Sequence, residues 1–315
     1  MNPNSRILIL GHRGMVGSAI WEALQARGYN NLFCAKRSEL DLCEQSQVRD
    51  CFAQLKPEYI FLAAAKVGGI MANQSYPADF IYINTLIAAN VIDAAYRNGV
   101  KKLLNLGSSC IYPGEAPQPM REEYLLSGPL ETTNDAYAIA KIAAIKMCDA
   151  YNRQHQCNFI SAMPCNLYGP NDNFHLQNSH LLPALVRKME DARKNQKDEV
   201  VLWGDGTPRR EFLFSKDLAA AAIFLMENCD VADVGEFINV GSGYDLDIRE
   251  LAEKVAHIVG FGGHIRWDSS YPNGTMRKLL DCSKIQALGW KPATGLDEGI
   301  RQLLEAYRLG NYREH

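Results

Sequence analysis

The chain has 315 residues, with 33 basic and 36 acidic side chains, a formal net charge of −3 and 47% apolar residues. One large or two ordinary domains with a sizeable core are expected, and a chain-wide basic face for nucleic acid is not. No apolar run approaches the ~18 residues of a membrane span, and the nine cysteines are scattered without a C-x-x-C pair, so disulfides, a structural zinc and any other metal site are not expected.

The amino terminus leads into Ile-Leu-Ile-Leu without a signal-peptide pattern, which points to a reducing cytoplasm. Ile7–Leu10 reads as a buried strand, followed by a glycine-rich turn and a helical pattern over Ser18–Arg27 that Gly28 ends. Strands are expected near Leu32–Ala35, at Tyr59–Ala63, at Lys102–Leu106 and at Asn158–Met163. Helices are expected near Ser46–Leu55, Pro77–Asn98 and Tyr137–His155. Fully apolar strands alternating with helices predict a Rossmann-like doubly wound parallel sheet over residues 1–165.

The rhythm then changes. Asn, Pro and Gly crowd Asn166–Asn178, a loop signature. Helices follow near Leu181–Lys194, Lys216–Glu227, Ile248–Val259 and Leu296–Arg308, with short strands at Val200–Leu202, Glu236–Asn239 and His264–Arg266. These predict a smaller mixed α/β substrate lobe over 166–211 and 241–315, with part of 212–240 returning to the first domain.

Gly11-His12-Arg13-Gly14-Met15-Val16-Gly17 joins the first strand to the first helix. Glycines there let the backbone turn tightly and approach a pyrophosphate, which the amides of the helix amino terminus can hold. The G-x-x-G-x-x-G string is weak alone; its place between strand and helix gives it meaning. An NAD enzyme usually ends its second strand on an acid. Here that end runs Lys36-Arg37, and Arg13 sits in the turn, so NADP is the expected cofactor, the guanidiniums meeting its 2′-phosphate. Asp41-Leu42 would border the adenine.

Tyr137 and Lys141 stand at i and i+4 on one helix face, where the ammonium makes the phenol a better proton donor. Leu106-Gly107-Ser108-Ser109-Cys110 ends a strand that would point into the same crevice, with a serine placed to polarise a carbonyl.

With those residues in place the chain resembles the extended short-chain dehydrogenase/reductases. More narrowly, GHRGMVGSAI, AAAKVGGI, LGSSCIYP, YAIAKIA, NLYGPNDNF and NSHLLPAL resemble the GDP-L-fucose synthase family, over nearly the whole chain. The resemblance implies 3,5-epimerisation of a GDP-linked 4-keto-6-deoxymannose followed by NADPH-dependent reduction at carbon 4. It implies Cys110 and His180 as base and acid on opposite sugar faces. Tyr137 would then be the proton donor to oxygen 4, Ser108 the carbonyl's partner, and Lys141 the anchor of Tyr137 and the nicotinamide ribose. It further places Pro164, Cys165, Asn166, Leu167 and His180 near the nicotinamide, and Lys188, Trp203, Arg210 and Asp281 around the GDP-sugar. Cys165 stands where that family has threonine. A homodimer is expected, because the helices at Pro77–Asn98 and Tyr137–His155 carry more apolar surface than one sheet can cover, and pairing them across a two-fold axis makes a four-helix interface. Two rival readings remain: an epimerase/reductase of a related GDP-sugar such as a heptose, and a nucleotide-sensing protein without catalysis.

Overall fold

Successive side chains of the first strand enter two different cores. Ile7 and Ile9 pack with Ile20 and Leu24, whereas Leu8 and Leu10 pack with Val48, Phe52 and Val91. A strand buried on both faces shows no polar alternation, which is why it reads as an unbroken apolar run. The computed structural model describes residues 1–176, 179–271 and 273–313.

The first half contains β1 (Ile7–Leu10), α1 (Met15–Ala26), β2 (Leu32–Phe33), α2 (Gln45–Leu55), β3 (Tyr59–Leu62), α3 (Ile70–Ser75), α4 (Pro77–Arg97), β4 (Lys102–Leu106), α5 (Asp135–His155) and β5 (Phe159–Pro164). The second half contains β6 (Asn166–Tyr168), α6 (Leu181–Lys194), β7 (Glu199–Trp203), β8 (Arg209–Phe214), α7 (Ser215–Asn228), α8 (Val231–Val234) and β9 (Ile238–Val240). It ends with β10 (Asp245–Asp247), α9 (Ile248–Val259), β11 (His264–Asp268), β12 (Arg277–Lys278), α10 (Ser283–Ala287) and α11 (Leu296–Arg308).

Six parallel strands form one sheet in the order β2-β1-β3-β4-β5-β9. α1 and α7 cover one face and α2 and α4 the other, with α5 packed beside α4. This is a doubly wound, Rossmann-like layer. From β1 the chain moves to β2 on one side and β3 on the other, so a crevice opens at the carboxyl end of β1.

A second core gathers Tyr168, Phe174, Leu185, Val186, Leu251, Val255, Ile300 and Leu303 from α6, α9, α11 and the adjoining strands. There β8 pairs with β6 and β12 in parallel and with β10 antiparallel, while β7 pairs with β11. α7 follows β8 without a gap and packs on α1, returning the chain to the first layer before β9 closes the sheet.

Two local expectations change. The segment read as a loop from Asn166 begins as a strand, because Asn166–Tyr168 pairs with Phe212–Phe214 of β8. Asn178, which opens the Asn-Ser-His string, lies outside the described residues. The second strand is shorter than its apolar run, pairing only through Leu32 and Phe33 at the sheet edge. α4 is long and apolar enough to cross a membrane by length and composition. Its Phe80, Ile87, Val91 and Ile92 are nevertheless buried, as in the core helix of a folded domain.

Candidate active site

The turn after β1 is built around backbone that has no room for side chains. Gly11 adopts φ +89°, and a Cβ on it would lie 2.6 Å from the amide nitrogen of Ala64. A Cβ on Gly17 would lie 2.1 Å from the Gly11 carbonyl oxygen, so helix and strand meet closer than any other residue permits. Gly14 is the N-cap of α1 and offers no side chain to the first helical amides. That leaves a bare, positively polarised helix end at the switch point, a cradle that fits a dinucleotide pyrophosphate.

Around this turn Arg13 and Arg37 are exposed, Met15 and Val16 begin α1, and His12 lies against Trp21 with ring centroids 6.4 Å apart. Burial and the Arg13 charge hold the His12 pKa below its usual value, with Lys36 and Glu39 also close. Glu39 is the first carboxylate after β2 along the chain, and it accepts the Lys36 amide at 2.9 Å. Asp41 accepts the Cys43 amide at 3.0 Å, and the Asn90 amide group donates to the Leu42 carbonyl at 2.9 Å.

At the end of β4, Ser108 caps a short 3₁₀ turn, Ser109–Ile111, its hydroxyl accepting the Cys110 amide at 3.4 Å. The Met163 side chain fills the space a Cβ on Gly107 would take, so a larger residue here would have to displace the end of that methionine. Tyr137 lies in the first turn of α5, edge-on to Phe80 at 5.9 Å. Lys141, one turn on, is buried; its ammonium donates to the Leu106 carbonyl at 2.8 Å and sits 5.7 Å from the Tyr137 ring.

These groups act on one another. Burial pushes the Tyr137 phenol well above its ordinary value and the Cys110 charge pushes the same way, while a hydrogen bond with Ser108 opposes both. Burial also raises the Cys110 thiol, against Ser108, Lys278 and Lys141, which favour the thiolate. Lys141 is pushed down to about 8 by burial, with Cys110 opposing. A low-dielectric site with a phenol, a thiol and an ammonium in mutual range is equipped for proton transfer to and from carbon and oxygen.

In the second lobe, Lys188 on α6 lies 5.4 Å from the Trp203 ring and donates to the Val201 carbonyl at 3.4 Å. Trp203 stacks on Tyr271 with centroids 4.4 Å apart and planes 8° apart, yet remains 46% exposed, an aromatic shelf facing solvent. Arg210 donates to the Arg209 carbonyl at 2.8 Å. It stands opposite Lys278 in the pairing of β8 with β12.

The sequence pattern of the NAD dependent epimerase/dehydratase family matches residues 7–241. The chain belongs to this family. It is 57% identical over 307 residues to a putative GDP-L-fucose synthase 2 of Arabidopsis thaliana, covering 98% of this chain and 93% of the relative. It is 52% identical over 301 residues to GDP-L-fucose synthase of Escherichia coli (strain K12), covering 94% of each. Among solved structures, a GDP-D-glycero-L-gluco-heptose synthase of Campylobacter jejuni in the presence of NADPH superposes with a TM-score of 0.91 at 40% identity, covering 98% of this chain and 99% of that one.

Within this epimerase-family chain, Ser108, Cys110, Tyr137 and Lys141 form one cluster at the carboxyl end of β4. Pro164 closes β5, the Cys165 amide donates to the Val240 carbonyl at 3.1 Å, and the Asn166 side chain donates to the Glu211 carbonyl at 2.8 Å. Leu167 continues into β6, half-buried. His180 is the N-cap of α6, an exposed residue by its whole surface, while desolvation at its imidazole lowers its pKa. None of its described contacts is to Cys110. Asp281 has a different setting, its carboxylate accepting the Ser283 amide at 2.9 Å and facing Arg121 at 3.5 Å. No contact joins it to Lys188, Trp203 or Arg210 among the described residues.

Sequence reasoning passed over Lys278. Its ammonium feels Cys110, Arg210 and Glu131, and burial lowers its pKa. The available signal was the Arg277-Lys278 pair shortly after the string Pro-Asn-Gly, but nothing in that string says which residue it will face.

Proposed function

We propose that the chain is a bifunctional GDP-L-fucose synthase, epimerising carbons 3 and 5 of GDP-4-keto-6-deoxy-D-mannose and reducing carbon 4 with NADPH. The observation that carries this reading is the shared environment of Cys110 and Tyr137, one thiol and one phenol coupled through Ser108 and flanked by Lys141 and Lys278. A simple carbonyl reductase needs the phenol but has no use for the thiol.

Both epimerised carbons neighbour the ketone, so loss of a proton from either leaves an enolate. Cys110 as thiolate takes that proton, helped by the charges of Lys278 and Lys141. His180 returns one on the opposite face, as inversion requires. Ser108 and Tyr137 meet the oxygen on which the enolate charge gathers. NADPH, which the Gly11–Gly17 turn would hold, would supply the hydride for carbon 4. Tyr137 then delivers its proton to oxygen 4, and Lys141 holds the resulting phenolate. Arg210 and Lys188 suit the diphosphate, and the Trp203 shelf suits a ring.

A homodimer belongs to this proposal. α4 and α5 pack on each other, and Tyr82 on α4 and Ile139 on α5 remain 65% and 47% exposed, with Ala143 exposed beside them. A second copy of the same two helices would cover that face. Light scattering should return twice the chain mass at micromolar concentration. A monomer mass would end this part of the proposal. The scattered free cysteines, with Cys34 exposed, suit a reducing cytoplasm.

The deciding experiment separates the half-reactions by mass spectrometry of keto-sugar in deuterium oxide. Cys110→Ser should abolish exchange at carbons 3 and 5, since a serine hydroxyl is far less acidic than a thiol. Tyr137→Phe should keep exchange while stopping reduction, slowing exchange by at most ~10²–10³ through loss of an oxyanion donor. Full exchange with Cys110→Ser would overturn the roles. Turnover only with a GDP-4-keto-heptose, the chemistry suggested by the Campylobacter relative, would replace the substrate.

A further inference from the structure

The carboxyl-terminal segment does not end at α11. It doubles back along the loop that follows β6. The Asn171 amide donates to the Asn311 carbonyl at 3.1 Å, the Arg313 amide to the Asp172 carbonyl at 3.0 Å, and the Phe174 amide to the Arg313 carbonyl at 2.9 Å. Tyr312 packs on Phe174 and Tyr307 with centroids 5.3 and 5.1 Å apart, fixing the segment to the second core. The loop in turn is tied to α1, the Asn171 side chain donating to the Ser18 hydroxyl at 3.1 Å.

This route carries a guanidinium to the glycine turn. Arg313 donates through Nε to the Asn171 carbonyl at 3.0 Å, and Nη2 would stand 3.8 Å from a Cβ on Gly14. Neither Nη group hydrogen-bonds to any described residue. Arg313 feels Asp172 and, more weakly, Arg13, and it lies beside Gly14, the amino-terminal cap of α1. The counter-charge is Asp172, whose Oδ2 is buried without a hydrogen-bond partner among the described residues. Two guanidiniums and a bare helix amino terminus converging beside one carboxylate leave a net demand for an anion.

We propose that Arg313, delivered by the carboxyl-terminal segment, grips the pyrophosphate of the bound dinucleotide from the side opposite the first strand. This inference rests on the cofactor reading above. A planar fork with two open Nη groups matches a phosphate bidentately, and its place beside Gly14, at the amino terminus of α1, assigns it to the pyrophosphate shared by both nicotinamide dinucleotides. In the free protein the same segment would hold the turn open and charged, ready for the anion.

Equilibrium binding tests this without turnover. Titrations of NADPH and NADH, followed by nicotinamide fluorescence, should give dissociation constants raised about tenfold for both in Arg313→Ala, and less in Arg313→Lys, which keeps charge but loses the fork. The salt dependence of NADPH binding should become shallower, and calorimetric binding of GDP should be unchanged. Tyr312→Ala, which loosens the anchor and keeps Arg313, should weaken both dinucleotides in the same direction. Unchanged affinity in Arg313→Ala overturns the proposal. So does weakening confined to NADPH, which would move the contact to the 2′-phosphate, or an equal loss of GDP, which would mean general damage. Failure of the unaltered protein to bind either dinucleotide would sink the cofactor reading itself.

Discussion

Adding one methyl group at Gly17 should break nucleotide binding more than it breaks the fold. The new Cβ would lie 2.1 Å from the Gly11 carbonyl oxygen, 2.6 Å from the Gly11 carbonyl carbon and 2.9 Å from the His12 Cα. All three neighbours are backbone, so relief requires α1 to move away from β1 by roughly an ångström. Overpacking of this kind costs about 1–3 kcal/mol, and rigid backbone places the estimate at the upper end. For a chain of this size that is a fall in Tm of ~2–6 °C. The same movement withdraws the first amides of α1 from the pyrophosphate, so the stabilisation by cofactor, about 2.7 kcal/mol at a hundredfold excess over Kd, should largely vanish. Gly28→Ala is the control. Gly28 has φ +81° with nothing within 4 Å of its Cβ, so alanine there adds about 1 kcal/mol of strain and no clash. Thermal melts with and without NADPH should show both variants destabilised but only Gly17→Ala deaf to cofactor. A Gly17→Ala protein that keeps its NADPH-induced shift would refute the reasoning, since the close approach would then not shape the site.

Arg37→Asp should weaken NADPH by at least about tenfold while sparing NADH, because it removes a cation suited to the 2′-phosphate; fluorescence titration of both dinucleotides checks it. Asp172 is pushed up to about 7 by burial, against the Asn173 amide and the Arg313 charge. Its folded pKa therefore exceeds the unfolded value, so the stability it contributes is present below about pH 4 and lost as pH rises through about 7, a swing of at most ~4 kcal/mol. Asp172→Asn should flatten that decline in urea midpoints measured between pH 5 and 8, and an unchanged slope would count against it. Lys102 is buried and donates to the Leu225 and Met226 carbonyls at 2.8 and 3.2 Å and to that of Cys229, closing the end of α7. Lys102→Met should strand those carbonyls and cost roughly 2–4 kcal/mol by chemical denaturation, with Kd for NADPH unaltered.

What the chain declares unaided is whatever depends on neighbours in sequence. The parallel layer was legible because β1, β3, β4 and β5 are buried on both faces and write that fact as apolar runs. The Gly11–Gly17 turn was legible because close approach can be met only by glycine, and Tyr137 with Lys141 because one helical turn sets their distance. Roles for Cys110 and His180 came from resemblance, since a lone thiol and a lone imidazole carry no local mark. What depends on distant pairing was hidden. β6 looked like a loop because Asn166–Tyr168 becomes a strand only when Phe212–Phe214 lies alongside. Lys278 reads as a surface base until β12 seats it beside β8, within range of Cys110. Arg313 sits in a polar tail whose direction is set by Tyr312 on Phe174 and by backbone bonds to the 171–174 loop. Local propensity and periodicity act over a few residues, and they built the elements. Burial and hydrogen-bond satisfaction act across the whole chain, and only they decided which charges would meet.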